Sequence, residues 1–394
     1  MKLKLDNQRI VEYSLYIACV LSNVSQLPYF VRNELTQIVA IPGWIILLIA
    51  LVLSGKIHIE KRIIRILLLA GIYILWCCIL TVFTRNSYFS SSLMYSFFIS
   101  LVILILGNAA SRSLNELSIY KFSIYYVLTT LLVAGVVFFE YFGIGYRFTS
   151  RLYAYSSKNS LSQIIFSAVI FMILYIKPQK NVYKGLKVLG LVFSFYILLL
   201  LRSRATILSL FICIIIIAFS STTNKRLKFA ILIIGALIAI GLLVSDSFSN
   251  LVFNNILFAG RDSSSINALS SGRIEILKSF PLRIKGHWIE GIGSLYYESF
   301  PLSAILQFGL FGGLLLIYIS LKPLVSSILN RKVSREWNLL LILSIGFVVD
   351  GAFEGLTPFG PGMKCYCLWL LYGILLGIKK VKSEKRELIN VEER

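Results

Sequence analysis

The sequence predicts an all-α integral membrane protein of about twelve transmembrane helices with one large outer loop, residues 246–300. Three observations lead there. Of 394 residues, 57% are hydrophobic and only 14% are charged, too few to build an ordinary water-facing surface. Apolar runs long enough to cross about 30 Å of hydrocarbon recur along the whole chain. Basic connectors alternate with the other loops, as orientation in a bilayer requires.

In chain order the apolar runs lie at residues 10–29, 35–53, 63–83, 92–110, 122–142, 161–176, 188–201, 205–220, 229–245, 301–320, 338–357 and 365–378. The first, from Val11 to Leu27, leads directly into the second with no small-residue cleavage pattern, so no short cleavable signal is expected. The seventh and eighth are separated only by "RSRA", which demands a tight re-entrant or transmembrane hairpin at Arg202 and Arg204. There is no internal repeat, low-complexity tract or boundary of a soluble domain, and residues 1–394 read as one polytopic domain.

An even number of crossings puts both termini on one side. The connectors at Lys2/Lys4/Arg9, Lys56/Lys61/Arg62, Lys177/Lys180/Lys184/Lys187, Lys225/Arg226/Lys228, Arg331/Lys332/Arg335 and the tail "KKVKSEKRELINVEER" make that side cytoplasmic. The outer loops then hold Arg32, Arg85, Arg147, Arg151, Arg202, Arg204, Arg261, Arg273 and Arg283, against only four lysines, Lys158, Lys278, Lys285 and Lys364. Orientation explains inner lysines but not outer arginines. A planar fork of donors is the usual choice for holding phosphate bidentately, so the outer face is suited to an anion. Snorkelling to lipid headgroups, or pairing with Asp246, Asp262, Glu275 and Glu290, is the plainer reading of any single arginine. That reading is weakest for Arg202 and Arg204, which have no acid nearby in sequence.

The six cysteines fall within apolar runs and the two histidines, His58 and His287, are far apart, a pattern that fits neither a zinc site nor a disulfide framework. Cys365-x-Cys367 lacks a second ligand pair and reads as small packing residues. No metal, cofactor or nucleic-acid partner is expected.

Four stretches resemble a family. "LLLLRSRATILSLFICIIIIAF" is similar to the Ser-Arg-small-residue signature of the O-antigen ligase and polysaccharide repeat-unit polymerase superfamily. "SGRIEILKSF", followed by the Gly-x-Gly of "GIGS", resembles that family's loop element, "ESFPLSAILQFGLFGGLLLIYI" the helix after it, and "RLYAYSSKNSLSQIIF" an Arg…Lys-Asn element at the start of a helix. The matches come in family order over residues 147–320. Ligases of this superfamily resemble one another in carrying His at the head of the helix after the large loop, whereas this chain reads "YYESFPL", with Glu298; that departure favours a polymerase.

The resemblance implies a membrane glycosyltransferase of the GT-C-like type at the bacterial cytoplasmic membrane, working on its outer face. Its partners would be undecaprenyl-pyrophosphate-linked oligosaccharides, membrane lipids and possible neighbours such as a flippase and a chain-length regulator; its product would be capsule, O-antigen or a related surface polysaccharide. A ligase of the same superfamily, or a flippase or other transporter, is the alternative. Transporters usually show repeat-related halves and broken helices, neither of which the sequence displays.

Chemistry assigns the roles. Displacing pyrophosphate from an anomeric carbon needs positive charge where negative charge grows, which makes Arg202, Arg204 and Arg273 the expected anion clamp, with Arg151 as a further member. The attacking hydroxyl benefits from a proton acceptor: Glu298 first, then Glu275 and Glu354. Each acid has a plain alternative. Glu298 can cap the next helix with Ser299, Glu275 can pair with Arg273 or Lys278, and Glu354 can be a partly buried structural carboxylate. Gly309, Gly312 and Gly313 are expected to allow close helix packing, and Gly291 and Gly293 a turn. The aromatic stretch Tyr141–Tyr155 suits an interface belt or sugar stacking.

Overall fold

Each of the twelve apolar windows overlaps a helix in the computed structural model, which describes residues 7–55, 59–85, 88–142, 155–220, 225–257, 273–293, 295–360 and 364–378. The helices are α1 Asn7–Val24, α2 Pro28–Arg32, α3 Thr36–Ser54, α4 Lys61–Thr84, α5 Ser92–Ala110, α6 Glu116–Val137, α7 Lys158–Ile170, α8 Asn181–Leu201, α9 Arg204–Phe219, α10 Lys225–Val244 and α11 Asp246–Asn250. They continue with α12 Arg273–Ile284, α13 Phe300–Ser320, α14 Lys322–Asn330, α15 Arg335–Gly351 and α16 Tyr366–Ile378. The described residues contain no strand.

By length and composition, 7 helices among the described residues can each cross a membrane, and an eighth is added if α10 and the segment after it, bent by 106°, form one span. α9 and α16 are shorter apolar helices. The chain is therefore an all-helical, multi-pass membrane protein.

Burial sorts the bundle into centre and rim. α16 is apolar all round and buried on every side from Tyr366 to Gly377, so it is a core helix. It packs on α5 through small residues: a Cβ on Gly107 would stand 2.5 Å from the Leu370 carbonyl oxygen, and one on Gly373 would stand 2.3 Å from that of Leu104. α3, α4, α8 and α10 instead expose large apolar side chains such as Leu53, Phe83, Leu189 and Leu243, the expected dress of a lipid-facing rim.

Polar contacts join helix ends that lie far apart in sequence. Asn159 meets Glu354, and Arg32 pairs with Glu140. Lys121 reaches Glu12, and the Arg335 guanidinium caps the carbonyls of Leu174 and Tyr175.

Two expectations change. The window 338–357 is not one helix: α15 stops at Gly351 and the chain turns through 352–360, which puts Glu354 in a loop. Gly309 is not a packing glycine within a straight helix but a break in α13, at φ 71° and ψ −179°. Backbone groups freed at the break find partners: Ile292 and Gly293 amides donate to the Leu306 and Gln307 carbonyls, the Trp76 indole donates to Phe308, and the Leu310 amide donates to Trp288. The Gly291–Gly293 turn is thus docked on the broken helix. Contrary to the sequence reading, the fold does contain a broken helix.

Candidate functional site

A polar chain runs across one end of this apolar bundle, joining segments that are far apart in sequence. It starts on the last turn of α15, where Asp350 is only 2% exposed and so must be hydrogen-bonded. Its Oδ2 accepts from Gln163 Nε2 at 2.8 Å and from the Thr357 hydroxyl at 3.2 Å; its Oδ1 accepts from the Thr206 hydroxyl at 3.1 Å. Gln163 Nε2 also lies 2.8 Å from the Thr357 hydroxyl. Thr206 sits on the first turn of α9, with its hydroxyl 3.0 Å from that of Ser203, so the cluster fastens the hairpin of Arg202 and Arg204 to the end of α15. Arg202 closes α8 in the left-handed region, φ 52°, and is buried; Arg204 is the first residue of α9.

One helical turn back from Gln163, on the same face of α7, Asn159 donates to Glu354 Oε1 at 2.9 Å. The Glu354 carboxylate is 3.8 Å from Nη2 of Arg273, and the same nitrogen stands 3.4 Å from Glu298 and donates to the Phe353 carbonyl at 3.0 Å. The guanidinium also faces the Phe353 ring at 5.7 Å, and its enclosed Nε has no hydrogen-bond partner among the described residues. Burial pushes the Glu354 carboxyl up to about 7; the Asp350 and Glu298 charges push the same way, against Arg273 and the Asn159 hydrogen bond.

Beside Glu354 lies a cavity of about 350 Å³, walled by Ser156, Ser157, Lys158, Asn159, Ser160, Tyr296, Leu356 and Thr357. Tyr296 leans on Gly355, where a Cβ would meet its ring at 2.7 Å. The arrangement offers a cation to an anion, a carboxylate able to take up a proton near neutrality, and a polar hollow next to both.

The structure brings together Arg273, Glu298 and Glu354, and ties the Arg202/Arg204 hairpin to the same polar chain through Thr206. Glu298 meets Arg273 rather than capping α13, whose Ser299 makes no side-chain cap bond either. Glu275 is exposed on the first turn of α12, and Arg151 lies outside the described residues. Tyr155 is buried with its hydroxyl donated to the Gln26 carbonyl at 2.7 Å, a packing role rather than a stacking one. Arg32 pairs with Glu140, the plain reading of an arginine in this chain.

The sequence reading missed Asp350, Gln163, Thr206 and Asn159. A signal was there: an aspartate inside an apolar window is costly and reads as functional by default. No protein-family model matches the chain, and no curated protein matches it.

Proposed function

We propose that this chain polymerises lipid-linked glycan: it transfers a growing oligosaccharide from undecaprenyl pyrophosphate to a new lipid-linked repeat unit, on the outer face of the cytoplasmic membrane. In this reading the chain crosses the bilayer twelve times with both termini in the cytoplasm. The observation that carries it is the meeting of Arg273, from the long loop, with Glu298 and Glu354 beside a polar cavity. Transfer from a pyrophosphate needs those elements together: a cation where the leaving group gathers charge, and a proton acceptor for the attacking hydroxyl.

Arg273 faces the leaving pyrophosphate, with Arg202, Arg204 and Arg151 completing the anion clamp, and Glu298 or Glu354 accepts the proton. Both substrates are lipids, which accounts for a catalyst that is mostly apolar helix. A second reading, a lipid-linked oligosaccharide transporter, is favoured by the broken helix at Gly309.

The test is to supply purified protein in lipid with undecaprenyl-pyrophosphate-linked repeat units. A polymerase gives a ladder of longer glycans on the same lipid. A ligase makes product only when a different acceptor is added, and a transporter forms no glycosidic bond.

A further inference from the structure

The cavity beside Glu354 and the cation beside it make different demands on a ligand. Arg273 is not on the cavity wall; it stands 3.8 Å from Glu354 Oε1, the oxygen that Asn159 also meets. Among the described residues the wall is short of charge: three serines, Asn159 and Thr357 supply hydrogen-bond donors and acceptors, Lys158 is the one cation, and Glu354 is the one anion. A phosphate would meet the Glu354 carboxylate there, whereas a neutral polyhydroxyl compound would meet partners on every side. Tyr296, 49% exposed, adds an aromatic face held in place against Gly355. The volume, about 350 Å³, falls in the range of small-molecule sites, about 300–1,000 Å³.

We infer that this cavity is the acceptor's saccharide subsite, with Tyr296 as its stacking wall and Glu354, rather than Glu298, as the group that takes the proton from the attacking hydroxyl. The inference rests on the polymerase reading and adds the acceptor's place and the identity of the base. Position separates the two acids. Glu354 is 16% exposed, lines the cavity and is oriented by Asn159; Glu298 is 45% exposed, lies off the wall and pairs with Arg273. A base must reach the proton it removes, so geometry selects Glu354 first, and a carboxyl raised to about 7 by burial suits proton uptake near neutrality.

In the step itself, the acceptor hydroxyl oxygen bonds to the anomeric carbon of the donor glycan. The bond from that carbon to the pyrophosphate oxygen breaks, and its electron pair leaves with undecaprenyl pyrophosphate beside Arg273. The hydroxyl proton goes to the Glu354 carboxylate, which returns it to water after release.

Two measurements on the purified full chain test this. In the first, saturation-transfer NMR reads binding of a panel of free pyranose disaccharides, which carry no lipid and no phosphate. Wild type binds, Glu354→Gln binds, and Tyr296→Ala loses the signal; no binding by wild type, or an unchanged signal in Tyr296→Ala, overturns the subsite. In the second, lipid-linked repeat units extracted from a strain lacking this protein are supplied for chain extension. Glu354→Gln lowers kcat about 100-fold or more with little change in KM, the scale of a lost general base. Glu354→Asp, which keeps a carboxylate, retains part of the rate and the acid limb of the pH profile, guarding against a variant that merely misfolds. Activity of Glu354→Gln close to wild type overturns the proton role. Disaccharide binding without any chain extension by wild type leaves the subsite standing and removes the polymerase reading instead.

Discussion

Asn159 donates to the Glu354 carboxylate across 2.9 Å, linking the first turn of α7 to the loop that follows α15. A hydrogen bond to the charged form of an acid favours that form, so Asn159 opposes the burial that raises the Glu354 carboxyl to about 7. Among the described residues, the charged groups around Glu354 are Asp350 from α15, Arg273 from α12, Glu298 from the loop before α13, and Lys158 on the cavity wall; Tyr296 is the remaining titratable group on that wall.

The sign of the pH effect follows. Glu354 must be ionised to accept a proton, so activity falls as pH drops below about 7. Asn159→Ala removes support for the carboxylate and moves this acid limb to higher pH, leaving the variant roughly ten-fold below wild type on the acid side and close to it at alkaline pH. Asn159→Asp adds a like charge and moves the limb further the same way. Initial rates of chain extension across the neutral range measure this; an unmoved limb in Asn159→Ala shows that Glu354 does not set it.

Arg273 is held by Glu298, Glu354 and the Phe353 carbonyl through one nitrogen, Nη2. If the guanidinium grips pyrophosphate with parallel N–H bonds, Arg273→Lys keeps the charge and loses the fork, and falls about 100-fold in chain extension, nearly as far as Arg273→Ala. If charge alone matters, Lys substitutes well and raised salt weakens wild type too. Comparing the three proteins at two ionic strengths separates the cases. Near-normal activity of the Lys variant rules out the bidentate grip.

Most helices were legible because their windows are long and apolar, a signal that tertiary packing has little power to override. Arg273, Glu298 and Glu354 were legible as residue types that chemistry at a pyrophosphate needs, but not as neighbours. Their meeting depends on α12 folding back on the loop after α15, which no periodicity encodes. Asp350 was passed over because it lies within an apolar window and its partners Gln163, Thr206 and Thr357 come from two other windows and a turn. The end of α15 at Gly351 was also hidden, since "AFEGLTPFG" continues the apolar run without a strong break until Pro358. Gly309 looked like its neighbours Gly312 and Gly313; only the docked loop shows that it is the one in the left-handed region.

Thr206→Val removes a hydroxyl of nearly the same shape from Asp350 Oδ1, leaving a buried carboxylate one donor short. The expected loss is about 1–3 kcal/mol of stability, read as a lower thermal midpoint in detergent. Chain extension falls as well, because Thr206 fastens the Arg202/Arg204 hairpin to α15. Thr206→Ser keeps the hydroxyl and recovers most of both. Equal behaviour of the Val and Ser variants contradicts a role for the hydroxyl.

The break at Gly309 gives the sharpest test of the loop's docking. At φ 71° a side chain is strained whatever space surrounds it, and here a Cβ would stand 1.8 Å from the Ile289 carbonyl oxygen. The Gly291 position across the contact is as tight, 2.5 Å from both the Gln307 carbonyl oxygen and the Gly309 amide nitrogen. Gly309→Ala therefore forces the Gly291–Gly293 turn away from α13 and strands the carbonyls of Leu306 and Gln307, which Ile292 and Gly293 now satisfy. Strain and lost hydrogen bonds together cost more than about 3 kcal/mol. The variant is expected to express poorly or melt much lower than wild type, and protease is expected to cut the segment around Trp288. Gly235→Ala is the matched comparison: it lies within α10, with nothing within 4 Å of the added carbon, and should leave the melting point unchanged or slightly raised. If Gly309→Ala melts like Gly235→Ala, the loop is not seated on the broken helix, and the path that carries Arg273 to Glu354 must be rebuilt from other contacts.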